Sequence, residues 1–261
     1  MILFPPAKIN LGLNVLNKRE DGYHEIQSCM VEIPFFDVLE ILPASTFEFV
    51  QTGLTIEGDQ SSNLCVKAFR LMQERYSISP VYMHLRKIIP MGAGLGGGSA
   101  DATYVIKGLN SMFELNLSDQ TIEELAAKLG SDCAFFVKGG AQISTGRGEL
   151  LQPIDLDLSG MYLKLAYPSL HISTREAYSN VSFNTDVSGY EALKTKDFSG
   201  LINSFEGYAF EKFPEIKSIR DRFLNEGAFF AAMSGSGSSV FGIYNNEPPK
   251  GEPNNVWIMK L

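Results

Sequence analysis

The chain has 261 residues, 44% of them hydrophobic and 20% charged, which supplies a packed core and excludes a disordered chain. Its 22 Lys and Arg face 30 Asp and Glu, a net charge of -8 that offers no basic field to nucleic acid, so an anionic ligand needs a local device. Cys29, Cys65 and Cys133 lie far apart without a CxxC, and His24, His84 and His171 are equally scattered, which argues against a disulfide scaffold or a histidine metal centre and leaves open a hard cation held by oxygen.

Met1 to Phe4 are apolar, but Pro5 and Pro6 follow at once and leave no apolar stretch for a secretion signal, so a cytoplasmic protein is expected. Strands are predicted over 7–15, 27–33, 38–42 and 46–50, with Asp21-Gly22 as a turn and antiparallel pairing. Leu64, Ala68, Leu71 and Met72 have helical spacing over 64–76, and a strand pattern returns over 81–89, closed by Pro90. A helix over 99–113 carries Ala102, Val105, Ile106, Leu109 and Phe113 on one face, and Ile122, Leu125, Ala126 and Leu129 form another before Gly130. A glycine-punctuated stretch, 139–148, then leads to Pro153 and a polar run, which places a boundary between domains 1–153 and 154–261. Beyond it come a strand over 162–167, a helix begun near Ser173, and an amphipathic helix with Ile216, Ile219, Phe223 and Leu224 stopped by Gly227. Strands over 228–234, 240–244 and 256–260 complete the pattern. Residues 227–246 carry no charge, yet Ser234-Gly235-Ser236-Gly237-Ser238-Ser239 interrupts them, so no membrane helix is predicted. Strands and helices mix in both halves without internal repeats, the mark of α+β modules.

The richest segment is Pro90-Met91-Gly92-Ala93-Gly94-Leu95-Gly96-Gly97-Gly98-Ser99-Ala100-Asp101-Ala102, between a predicted strand and a predicted helix. Glycine admits positive φ and lets a ligand approach without a Cβ, while the helix start points unpaired N–H groups and its positive dipole end at the loop. Together these make an anion cradle suited to polyphosphate. The Ser99 hydroxyl can either cap the helix or face a phosphate or Mg²⁺, and Asp101 can simply complement the dipole. Two familiar motifs fit incompletely: GxGxxG is satisfied without the acidic strand end that a dinucleotide fold needs, and the Walker pattern has Gly98 where its lysine belongs. The cation must therefore come from elsewhere. Lys8 stands in an otherwise apolar strand, where a charge ordinarily faces solvent, and Asp132 lies between a helix end and an apolar run, where it reads equally as a turn or cap.

Taken in order, Ala7-Lys8-Ile9-Asn10-Leu11, the glycine string and the loop from Met233 to Ser239 resemble the three motifs of the GHMP kinases, named after galactokinase, homoserine kinase, mevalonate kinase and phosphomevalonate kinase. Asp21-Gly22-Tyr23-His24, Gly130-Ser131-Asp132, Tyr167-Pro168 and Ile172-Ser173-Thr174 narrow the resemblance, which runs almost end to end, to the branch acting on a cytidylated methylerythritol. It departs at Cys133-Ala134, where the branch often has a small aliphatic residue and proline, and more mildly at Ala93 and Ala100-Asp101.

The resemblance implies an α+β fold with an N-terminal ribosomal-protein-like domain, a C-terminal ferredoxin-like domain and the site in the cleft between them. It implies ATP and Mg²⁺, phosphorylation of a small cytidylated polyol at its 2-hydroxyl, and no nucleic acid, membrane or obligate protein partner. By position, Lys8 and Asp132 are the catalytic pair, Pro90 to Ala100 hold ATP, and Ser99 is the metal candidate. Asn10 and Thr174 fall beside the reacting centre, Tyr23 and Tyr178 stack on the base, His24 reads its polar edge, and Gly235, Ser236 and Gly237 close over the substrate phosphates. A sister kinase for mevalonate-like or amino-alcohol substrates would keep Lys8, the loop and Asp132 without needing Tyr23, His24 or Tyr178. A nicotinamide oxidoreductase and a non-catalytic nucleotide-binding module are the alternatives from other classes.

Overall fold

The computed structural model describes residues 1–55, 58–250 and 255–261. In chain order the first elements are β1 (Ile2–Leu3), β2 (Pro6–Lys18), β3 (His24–Phe36), β4 (Val38–Pro43), β5 (Glu48–Gly53), α1 (Leu64–Tyr76), β6 (Val81–Lys87), α2 (Gly97–Met112), α3 (Asp119–Ala126) and α4 (Phe135–Lys138). They continue as β7 (Ala141–Thr145), β8 (Leu150–Pro153), β9 (Tyr162–Ala166), α5 (Thr174–Ser179), α6 (Ser188–Ala192), α7 (Glu206–Lys212), α8 (Pro214–Asn225), β10 (Phe230–Met233), β11 (Val240–Tyr244) and β12 (Val256–Lys260). The chain forms two compact units, each drawn from separate stretches: Met1–Ala7, Phe35–Met91 and Gly96–Gly139 in the first, and Lys8–Pro34, Gly92–Leu95 and Gly140–Leu261 in the second.

The first unit is built on a sheet of order β1-β4-β6-β5. β4 runs antiparallel to β6, but β5 runs parallel to it, contrary to the antiparallel pairing expected over the N-terminal strands. The cause is α1, which joins β5 to β6 as a crossover and returns the chain to the same end of the sheet. Asn63 caps α1 by accepting from the Cys65 N–H at 2.9 Å, as a polar residue ahead of an apolar run should. Phe69 and Met72 from α1, Val105, Ile106 and Leu109 from α2, and Met83 and Leu85 from β6 share one core. α2 begins two residues before the expected Ser99, with Gly96 as an N-cap that makes no side-chain bond, so Ser99 is not the cap. The inward row of β6, Val81, Met83 and Leu85, ends on Lys87, a wholly buried charge.

The second unit contains two sheets, of order β2-β3-β7-β8 and β10-β11-β9-β12. β7 lies within the glycine-punctuated stretch and pairs Ser28 with Ser144 and Cys29 with Ile143. Its buried residues are Gln142 and Ser144, so the usual apolar alternation is absent and the strand is hidden from a hydrophobicity reading. In the other sheet β9 lies between β11 and β12, antiparallel to both. The uncharged run is explained by β10 and β11, both entirely buried, with Ile216 and Phe223 of α8 in the core beside them. Among the described residues no helix is long and apolar enough to cross a membrane.

Phe69 is 1% exposed and its ring stacks on Phe47 at 4.2 Å. Phe69→Ala should cost about 3–5 kcal/mol by urea unfolding, and a loss below ~1 kcal/mol would mean that the α1 contact is not part of the core.

Candidate active site

Lys8 is 3% exposed on β2, against the ordinary expectation for a strand lysine. Its Nζ donates to Asn10 Oδ1 at 2.6 Å and to the Gly94 carbonyl at 3.1 Å, and its own N–H donates to the Leu95 carbonyl at 2.9 Å. Asn10 is oriented in turn: its Nδ2 donates to Ser28 Oγ at 2.8 Å, and Ser28 donates to the Gly12 carbonyl at 2.7 Å. Lysine, asparagine and serine thus form one buried polar chain, which fixes the lysine rotamer.

The second glycine loop closes on the first. Ser234 Oγ accepts from the Asn10 N–H at 3.2 Å and donates to the same Gly94 carbonyl at 2.8 Å, and the Ser239 N–H donates to the Ala93 carbonyl at 3.2 Å. Gly94 has φ +78°, and a Cβ there would lie 2.0 Å from the Ser234 carbonyl oxygen, so only glycine permits this approach. Asn203 Nδ2 donates to the carbonyls of Met233 and Gly235, both at 2.8 Å, and holds the second loop from behind. Gly237 N–H donates to the Ser234 carbonyl at 3.0 Å, leaving Ser236 at the partly exposed tip. Gly92, at φ +61°, packs against the exposed His171, and Pro90 and Met91 lead the chain into the turn. Asn203 and Ser28 carried no signal in the sequence, because each acts through residues distant along the chain.

In the other unit, Gly97, Gly98, Ser99 and Ala100 open α2, whose first N–H groups have no partner within the helix. Thr103 Oγ1 donates to the Ser99 carbonyl at 3.0 Å and approaches the Cys133 carbonyl at 2.8 Å, so α2 positions the segment next to Asp132. Asp132 is half-buried and accepts from Ser131 Oγ at 3.3 Å. Burial pushes the Cys133 thiol up to about 11, with a hydrogen bond from Ser99 opposing it. The unusual cysteine therefore stays a neutral, packed thiol beside Asp132, and Ser99 lies against it.

A third cluster belongs to the second unit. Tyr178 of α5 stacks on His24 at the start of β3, ring centroids 4.8 Å apart, and meets Phe205 edge-on at 4.9 Å. Phe183, 55% exposed, lies 6.1 Å from His24. Tyr23 is 59% exposed, and its ring faces the Arg147 guanidinium at 5.0 Å, a cation–π contact. Burial draws the His24 imidazole below its ordinary value and the Lys18 ammonium adds to this, so the ring is neutral near neutral pH. Ser173 caps α5 by accepting from the Glu176 N–H at 3.2 Å, which sets Thr174, exposed, as its first residue.

Gly94→Ala would force the Ser234 carbonyl away from a 2.0 Å contact. Turnover should fall at least ~100-fold while the far-ultraviolet spectrum is kept, and near-normal turnover would detach the paired glycine loops from the chemistry.

Residues 63–140 match the GHMP kinases N terminal domain, and residues 190–256 match the GHMP kinases C terminal family. A 4-diphosphocytidyl-2-C-methyl-D-erythritol kinase of Cytophaga hutchinsonii is 46% identical over 253 residues, covering 95% of this chain and 94% of its own length. A solved 4-(cytidine 5'-diphospho)-2C-methyl-D-erythritol kinase is similar at TM-score 0.81 and 35% identity, over 93% of this chain and 89% of that one. An L. major mevalonate kinase, solved with R-mevalonate, has TM-score 0.72 but 18% identity over 94% of this chain and 87% of that one, a likeness of fold alone. With both domain families matched and near-full-length identity of this order, the chain belongs to the GHMP kinases and, within them, to the 4-diphosphocytidyl-2-C-methyl-D-erythritol kinases.

Proposed function

We propose that this chain transfers the γ-phosphoryl group of ATP to the 2-hydroxyl of 4-diphosphocytidyl-2-C-methyl-D-erythritol, a step in isoprenoid precursor synthesis by the non-mevalonate route. The observation that carries the reading is the pair of glycine turns bonded to each other and to a buried, oriented lysine. Such a turn offers main-chain N–H groups to phosphate oxygens, and the ammonium adds the charge that the Walker pattern here lacks.

In this reading Pro90 to Ala100 hold the triphosphate, and Lys8 stabilises charge on the transferred phosphoryl oxygens. Asp132 orients the hydroxyl and accepts its proton. Magnitude decides the timing of that transfer: a carboxyl near ~3.9 and a water-like hydroxyl near ~15.7 differ by about 12 units, roughly 16 kcal/mol. Full early deprotonation would consume an entire barrier of about 16 kcal/mol, so Asp132 acts by positioning, with the proton leaving late.

Among the described residues no three His, Cys, Asp or Glu side chains cluster as a metal cage. Mg²⁺ would be held chiefly by nucleotide phosphates and water, with the Ser99 hydroxyl as the oxygen donor this chain contributes. When bound, Mg²⁺ shields phosphate charge.

At the other end of the substrate, Tyr178 and Tyr23 flank the cytosine and neutral His24 reads its polar edge; the existing stack of His24 on Tyr178 supports a platform for a planar base. Asn10 and Thr174 contact the methylerythritol, and Gly235, Ser236 and Gly237 face the diphosphate. All three cysteines are free and buried, which fits a reducing compartment, so the proposal includes residence in the cytoplasm.

A coupled ATP assay across the cytidylated substrate, mevalonate and homoserine tests the reading: preference for the first is expected, and equal or better use of another acceptor would overturn it. Asp132→Asn should lower kcat ~10³-fold and leave the KM for ATP within about threefold, and retained turnover would remove the carboxylate from the mechanism. Tyr178→Ala should raise the KM of the cytidylated substrate at least ~10-fold with little change for ATP; equal effects on both would undo the base platform.

A further inference from the structure

A second buried ammonium lies under the start of α2. Lys87, the last residue of β6, donates from Nζ to Asp37 Oδ2 and, at 2.9 Å, to Asp101 Oδ2. The other oxygen of Asp37 accepts from the Ile88 N–H at 2.5 Å and the Ile89 N–H at 2.9 Å, so this carboxylate grips the chain as it leaves the strand. Asp101 grips the helix, five residues past the Gly96 N-cap. At Gly97 a Cβ would lie 2.8 Å from Lys87 Nζ and 2.8 Å from Ile89 Cγ2, so the helix can settle onto the ammonium only because that residue has no side chain.

We infer that Lys87, Asp37 and Asp101 are positioning residues for the nucleotide: they tie the exit of β6 to the opening turns of α2 and thereby fix the amides offered to the phosphates. The inference rests on the nucleotide assignment above and deepens it. The triad contacts no reacting atom. It works by rigidity, since a buried ion network bonded both to the strand exit and to the helix admits few alternative arrangements.

The test is calorimetric binding of MgATP at about pH 7 to wild type, Lys87→Met, Asp101→Ala and Asp101→Asn, with urea midpoints measured alongside. Lys87→Met and Asp101→Ala, each folded by circular dichroism, should bind ATP at least ~10-fold more weakly, whereas Asp101→Asn, which keeps an oxygen to accept from Lys87, should bind within about threefold of wild type. Unchanged affinity in folded Lys87→Met overturns the inference and leaves the kinase reading intact, as does an equal loss in Asp101→Asn and Asp101→Ala. Should Lys87→Met not fold, the two Asp101 variants decide alone. Failure of wild type to bind ATP at all overturns both.

Discussion

The Gly94 carbonyl takes one hydrogen bond from the Lys8 ammonium and one from the Ser234 hydroxyl, at 3.1 Å and 2.8 Å, and much of the candidate site depends on that shared acceptor. A carbonyl oxygen has two lone pairs, so one backbone atom in a turn can join a strand, a phosphate-type loop and a second loop remote along the chain. The geometry requires positive φ and the absence of a Cβ at the residue that carries it. Gly94 is therefore defined by what approaches it more than by flexibility.

The ammonium groups of Lys8 and Lys87 follow the same physical rule. A lysine removed from water needs acceptors on its protons, and the net worth of each bond to a charged group is about 1.5–3 kcal/mol while an unpaired charge costs more. Lys8 donates to Asn10 and Gly94, and Lys87 donates to the carboxylates of Asp37 and Asp101. In each case the acceptors fix the ammonium, and for Lys87 the paired carboxylates also tether the strand exit to the helix.

How much was legible beforehand depended on whether a signal was local. The glycine string is a property of consecutive residues, and Lys8 and Asp132 became candidates through motifs in a fixed order. The helix over 64–76 emerged with those bounds because its cap and its apolar stripe lie within a few residues of one another. β7 was hidden because Gln142 and Ser144 occupy its inward positions, and the direction of β5 was misjudged because the pairing of β5 with β6 depends on the path of α1 between them. Asp101 could be read as a dipole partner, and Lys87 and Asp37 carry no local motif, because their pairing is made only by the fold.

The sequence by itself determined the class of protein and the chemistry on offer: an acidic α+β chain with a glycine-rich anion loop, a lysine and an aspartate in kinase order, and aromatic side chains for a base. The tertiary structure alone decided which of those groups are buried, which acceptor each finds, and that Ser234 and Asn203 brace the loop around Gly94. The physical reason is range. Propensity, capping and turn chemistry act between neighbours in sequence, whereas desolvation and hydrogen-bond satisfaction depend on whatever the fold brings within about 3 Å.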